Sequence, residues 1–146
     1  MKTKQIILII LVMLSGIHCK HKDTTEGGWP EEAKTISSVD LMDAYIVNEV
    51  SADDSLKGKV FFVTGTVNRI GKDILDNVYI TLRSGTVMRS IQLFFRIPGQ
   101  ISIVSKLRKG DHVTALGLCD GLMGNVIMKD CKIKSVIPVD DRQINQ

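Results

Sequence analysis

Six side chains on two neighbouring hydrophobic runs have the types that could hold a ligand. They are Tyr79, Thr81 and Arg83 in the first run and Gln92, Phe94 and Arg96 in the second. Within each run they recur at every second position, so a pleated strand puts all three on one side. Two aromatic rings offer stacking surfaces to a base or a sugar, and two guanidinium groups would neutralise a charged backbone beside them. The same residues also have a purely structural use: Tyr79 as a cross-strand partner and Phe94 beneath a covering helix.

Other chemistries find less support in the sequence. His112 has no serine, cysteine or carboxylate at a spacing that suggests a triad. Metal-assisted phosphodiester cleavage needs clustered carboxylates. The acids between 55 and 135 are Asp73, Asp76, Asp111, Asp120 and Asp130, of which only the first two are near neighbours, and they read as turn residues. His18, Cys19 and His21 are zinc-ligand types, but they sit at the end of a leader. There is no G-x-S-x-G, no phosphate-cradling glycine loop and no C-x-x-C pair. The expectation is a chain that is not an enzyme and has no metal site and no cofactor.

Cys119 and Cys131 remain once Cys19 is set aside. A bridge between them would stabilise by about 3 kcal/mol in the loop-entropy view. A hairpin turning around Gly121–Gly124 would instead put Cys119 opposite Val126, with Cys131 roughly 17 Å further along at strand rise. That is beyond the reach of about 4.4–6.8 Å between bridged Cα atoms. A disulfide and two buried thiols both stay open.

The elements that must position these groups begin after a leader, residues 1–19. Lys2 and Lys4 precede an apolar run from Ile6 to Leu14, too short to cross about 30 Å of hydrocarbon and suited to export. Cys19 directly after it suggests acylation and a lipid anchor at a bacterial membrane, on its periplasmic or outer face. Leu14-Ser15-Gly16 is separated from that cysteine by Ile17 and His18, where a lipoprotein signal would place such a triplet immediately before it. Residues 20–36, with Gly27-Gly28 and Pro30, read as a tether, and Trp29 as a packing anchor where it meets the domain.

Residues 37–136 then form one domain, with 137–146 as a tail. A helix capped by Ser37 or Ser38 carries apolar residues at Val39, Met42, Tyr45, Ile46 and Val50. The run Lys57–Ile70 alternates strictly: Phe61, Val63, Gly65 and Val67 point one way, and Val60, Phe62, Thr64 and Thr66 the other. It is a long first strand with a glycine midway where it can bend. Gly71 to Asn77 is a polar turn. Second and third strands follow, with Val78, Ile80, Leu82 and Ile91, Leu93, Phe95 facing inward. Ile101, Val104 and Leu107 mark a short helix, His112–Cys119 a fourth strand, and Val126–Val136 a fifth. Three strands, a helix and two strands is the order of the OB-fold, a five-stranded Greek-key barrel, mainly β.

Charge is unevenly spread over the 146 residues, whose formal net charge is +3. Residues 20–54 carry three basic and nine acidic groups, and residues 55–135 thirteen basic and five acidic. An acidic arm thus precedes a basic body, which could draw phosphate or carboxylate polymers. It could equally dock its own arm or an acidic protein partner.

At this point the chain resembles the bacterial tRNA-anti-like OB-fold domains, many of them lipoproteins of unassigned function. The resemblance runs from about Val39 to Ser135. It rests on Asn48-Glu49, Lys57-Gly58-Lys59, Val63-Thr64-Gly65-Thr66-Val67, Lys109-Gly110-Asp111, Gly117, Cys119, Gly121 and Asp130-Cys131-Lys132-Ile133. It implies a barrel-shaped binding module and no catalytic residues. In OB-folds the usual ligand face is the outer surface of the second and third strands, which here carries the six residues named first. The ligand classes this leaves are glycans, phosphate polymers and oligonucleotides, with an envelope protein–protein interaction domain as the alternative.

Overall fold

The structure is a computed structural model that describes residues 33–140. The leader, Cys19, most of the tether, Trp29 and the last residues of the tail lie outside the described residues. The elements are β1 (Thr35–Ser37), α1 (Ser38–Val47), α2 (Glu49–Leu56), β2 (Val60–Lys72), β3 (Val78–Leu82), β4 (Ile91–Phe95), α3 (Pro98–Val104), β5 (His112–Met123) and β6 (Asn125–Ile137). None of the described helices is long and apolar enough to cross a membrane.

Strand β2 is what closes the barrel. Its first half, Val60 to Thr66, pairs antiparallel with β5, and its second half, Val67 to Lys72, pairs antiparallel with β3. The circuit continues from β3 to β4 (antiparallel), β4 to β6 (parallel) and β6 back to β5. Five strands therefore wrap one axis as an OB-fold, with β1 added in parallel along β2. That strand brings Thr35 and Ile36 into the fold, where the sequence reads as tether.

The alternation read from the sequence sets inside and outside. Val63, Val67, Ile80, Leu82, Ile91, Leu93 and Phe95 are buried in one interior cluster. Fully burying such a side chain contributes on the order of 1.5–3 kcal/mol, so this interior carries most of the fold's stability. The glycine at 65 also makes room for the helix that follows β1. A side chain there would collide with Ser38 Oγ and Cβ, and with Leu82 Cδ1 at 3.2 Å. The missing side chain lets the start of α1 seat directly on β2, where Ser38 Oγ donates to the carbonyl of Arg83 at 2.5 Å.

The helical segment differs from the expected single helix. Ser37 caps α1 by accepting from the Asp40 amide at 3.0 Å. Asn48, in extended backbone, ends α1 and caps α2 through its side chain, which accepts from the Ser51 amide at 3.1 Å. The break changes the buried stripe. Ser38, Leu41, Met42 and Tyr45 face the barrel, and Ala52 does so from α2, while Val39, Ile46 and Val50 face solvent. Together α1 and α2 plug one end of the barrel. The short helix α3 packs against β6, where Val104 and Leu107 enter the core and Gln100 Oε1 accepts from the Ile133 amide at 2.7 Å.

Strand β5 also runs past its expected end at Cys119, to Met123. The hairpin to β6 turns on Gly124 alone, at φ 76°, and pairs Met123 with Asn125.

Candidate ligand-binding wall

Pairing across β2, β3, β4 and β6 arranges the outer surface in rows. One row runs Arg69, Thr81, Gln92, Ile127; the next runs Gly71, Tyr79, Phe94. Arg69 reaches this face because β2 has a bulge at Asn68. Val67 pairs with Leu82 and Arg69 with Thr81, so two residues of β2 oppose one of β3 and the alternation is reset. Plain period two from Val67 would have turned Arg69 inward. The polar Asn68-Arg69 pair interrupting an apolar run is the signal for the bulge.

The six residues expected to form the site do share this wall, but they are not equally available. Tyr79 is only 9% exposed and Thr81 only 7%. The Tyr79 ring lies over Gly71, its hydroxyl 3.2 Å from where a Cβ would stand, and packs against Phe94 with centroids 5.9 Å apart at 57°. Gly71, read from the sequence as part of a turn, is in the strand and gives this ring its seat. Tyr79, Ile127 and Leu116 are all buried without belonging to the interior cluster. Phe94 is half-buried and keeps part of its ring open. Gln92 is also half-buried, and its Oε1 accepts from Asn125 Nδ2 at 2.9 Å, while Asn125 Oδ1 accepts from the Ser90 amide at 2.9 Å. That amide pair fixes the β6 edge of the wall.

Cations border the wall. Arg69 and Arg83 are exposed and have no carboxylate partner among the described residues. A groove of about 380 Å³ opens beside Arg83, lined also by Asn68, Thr86, Val87 and Ser90. Arg96, at the far end, has Nε 3.8 Å from Asp130, and Lys129 is held by Asp120 at 2.5 Å. Of the two arginines expected here, Arg83 is thus the more available, and Arg69 joins it.

The loop from β2 to β3 stands beside the wall and is rigid for a stated reason. Asp73 accepts from the amides of Leu75 (2.8 Å) and Asn77 (2.9 Å) and from Asn77 Nδ2 (2.9 Å). The Asn77 side chain is the main cause holding its carboxyl below the usual carboxylate range, with the two backbone amides adding to it. Lys72 pairs with Asp76, which takes the left-handed conformation at φ 65°. This frame holds Ile74 and Leu75 out in solvent. Reading the segment as a polar turn missed those two apolar side chains.

The cysteines belong to the interior cluster and not to the outer face of the wall. Cys119 and Cys131 are both free and buried. Cys119 pairs with Met128, not Val126, because the turn lies at Gly124. Its sulfur is 3.5 Å from the Tyr45 hydroxyl, which donates to Asp53 Oδ1 at 3.1 Å. Burial, then the contacts to Cys119 and Asp53, push the Tyr45 hydroxyl up and keep it protonated as a donor. Burial likewise pushes up the Cys131 thiol, whose sulfur fills the space left by Gly117. His112 is exposed at the start of β5. Among the described residues no group of three or more His, Cys, Asp or Glu side chains is placed to hold a metal ion.

The tRNA_anti-like family model matches residues 1–132, most of the chain. The chain belongs to the tRNA_anti-like family. Solved structures are similar to this tRNA_anti-like chain to different degrees. A crystal structure from Klebsiella pneumoniae subsp. pneumoniae MGH 78578, a lipoprotein proposed to bind nucleic acid, aligns with TM-score 0.59 at 19% identity. The alignment covers 73% of this chain and 100% of that one. An OBody bound to hen egg-white lysozyme aligns at TM-score 0.42 and 15% identity, over 54% of this chain and 84% of that one. A proposed aspartyl-tRNA synthetase from Leishmania major Friedlin gives 0.47 and 11%, over 77% of this chain and 22% of that one. At 19% identity the likeness to the Klebsiella structure is one of fold. No curated protein matches the tRNA_anti-like chain.

Proposed function

We propose that this chain is a non-catalytic binding module that takes an anionic, ring-bearing polymer on the outer wall of β3 and β4. The observation that carries the reading is the half-open ring of Phe94, braced by Tyr79 and Gly71, on a wall whose unpaired cations are Arg69 and Arg83. A ring of the ligand stacks on Phe94, and its charges meet the two guanidinium groups. Tyr79 and Thr81 hold the surface in shape, Gln92 offers its amide, and Arg96 contributes after releasing Asp130. The family's OB-fold, and a fold neighbour described as a lipoprotein proposed to bind nucleic acid, support this class of ligand.

The same proposal places the module at a bacterial membrane, exported by the leader and held through acylated Cys19. Mass spectrometry of the mature N-terminus tests this part: an unmodified start beyond Cys19 would remove the anchor. Binding is tested by titrating single-stranded oligonucleotides and anionic glycans at two salt concentrations. Salt-dependent binding of one class, weakened at least tenfold by Arg69→Glu with Arg83→Glu, is expected. Absence of salt-dependent binding to either class would discard the wall as a site.

A further inference from the structure

On the helical plug, a second surface has the opposite character. Val47 is 83% exposed, Val50 81% and Met88 89%, with Ile46 and Val87 also open to solvent. Ile46, Val47 and Met88 share one groove of about 490 Å³ between the α1–α2 junction and the β3–β4 loop, floored by Tyr45. Contiguous apolar side chains from two separate elements, left in water by a fold that buries Leu41 and Met42 beside them, mark an interaction surface.

Charge indicates what covers it. Residues 37–56 carry Asp40, Asp43, Glu49, Asp53 and Asp54 and not one lysine or arginine. Asp53 is engaged by Lys57 at 3.3 Å, and Asp40 by the Ser37 hydroxyl at 2.7 Å. Asp43, Glu49 and Asp54 are exposed and have no ionic partner among the described residues. Glu49 stands at the groove itself, Asp43 is one turn before Val47, and Asp54 is one turn after Val50. Arg89 is the one cation lining the groove.

We propose that this groove docks a basic amphipathic segment of a partner protein, with its apolar stripe on Ile46, Val47 and Met88 and its lysines or arginines against the acidic residues beside them. An apolar floor bordered by three carboxylates, Asp43, Glu49 and Asp54, against the single cation Arg89 is the complement of such a segment. The carboxylates disfavour the two other occupants. They repel an anionic lipid surface, and in a two-fold dimer of this face they would meet one another. The groove adjoins the one beside Arg83, with Thr86 lining both, but Phe94, Arg69 and Arg83 are not among its lining residues.

The test uses the full chain and, as probe, a labelled helical peptide of leucine and lysine, with the leucine–glutamate version as control, followed by fluorescence anisotropy. The lysine peptide is expected to bind, more weakly as salt rises, and the glutamate peptide not to bind. The pair Val47→Ser, Met88→Ser and the pair Asp43→Lys, Glu49→Lys are each expected to weaken binding at least tenfold, with urea midpoints close to wild type because all four side chains are exposed. Equal affinity for wild type and both pairs, or no affinity at all, would overturn the proposal. So would a loss of self-association by sedimentation, or of phosphatidylglycerol-vesicle binding, confined to Val47→Ser, Met88→Ser, since the groove would then belong to a second copy or to lipid.

Discussion

The β3–β4 wall and the helical plug lie on one small barrel and solve opposite problems. The wall is built of residues whose exposure looks generous in the sequence and is small in the structure: Tyr79 and Thr81 face outward yet are nearly covered. The plug carries residues that look like core and are not: Val39, Ile46 and Val50 lie open. A strand's side chains are buried by neighbours on the next strand, so a missing side chain at Gly71 decides the burial of Tyr79. A helix's side chains are buried only on the stripe that meets another element, so Ser38, Leu41, Met42 and Tyr45 are covered while Val39 and Ile46, on neighbouring rows of the same helix, are not. Facing direction and exposure are separate quantities in a sheet and nearly the same quantity on a helix.

The largest expected effect separates the two regions by removing the plug. Leu41→Ala deletes a fully buried side chain of α1 and should cost about 2–5 kcal/mol, read as a shift in the urea midpoint. Gly65→Ala, which forces Ser38 off β2, should cost about 1–3 kcal/mol by the same measurement. On the wall, Phe94→Ala should cost about 1–3 kcal/mol of ligand affinity in the oligonucleotide or glycan titration, provided its ring stacks. Tyr79→Phe should leave that affinity nearly unchanged, because it keeps the ring that supports Phe94. An equal loss from both would mean that the covered ring, not the open one, meets the ligand.

A smaller effect is set by pH at the loop beside the wall. The folded-state value of Asp73 is depressed, so its stabilisation is present above the unfolded value of about 3.9 and is lost as pH falls through the folded one. Amide protection at Leu75 and Asn77, measured by hydrogen exchange against an unstructured peptide, should fall in that acid window and stay constant above it. Asp73→Ala should remove that protection at neutral pH as well. The smallest expected effect is Val47→Ser, within about ±0.5 kcal/mol of wild-type stability. A larger loss would show that the groove residues hold the plug together.

Much of the barrel was legible because period-two alternation is a local signal: Ile80, Leu82, Ile91 and Leu93 face inward as their spacing requires. What escaped depended on single events that shift a pattern without changing composition. The bulge at Asn68 turned Arg69 onto the wall, and the turn at Gly124 moved Cys119 opposite Met128. Of the expected helical stripe Val39, Met42, Tyr45, Ile46 and Val50, Met42 and Tyr45 are buried and the other three are not, because the face of α1 that meets the barrel runs Ser38, Leu41, Met42, Tyr45 at helical spacing. Arg96 read as a free cation because its partner Asp130 comes from a strand distant in sequence.

The single-residue hairpin at Gly124 leaves the β6 side of the wall without a rampart, whereas the β2 side has the stiff loop holding Ile74 and Leu75. A polymer laid across Phe94 would be fenced on one flank and free to continue over the other. Such a platform has no end-stop, so it would accept internal stretches of a long molecule as readily as its termini, and occupancy would grow with the number of repeats a ligand carries.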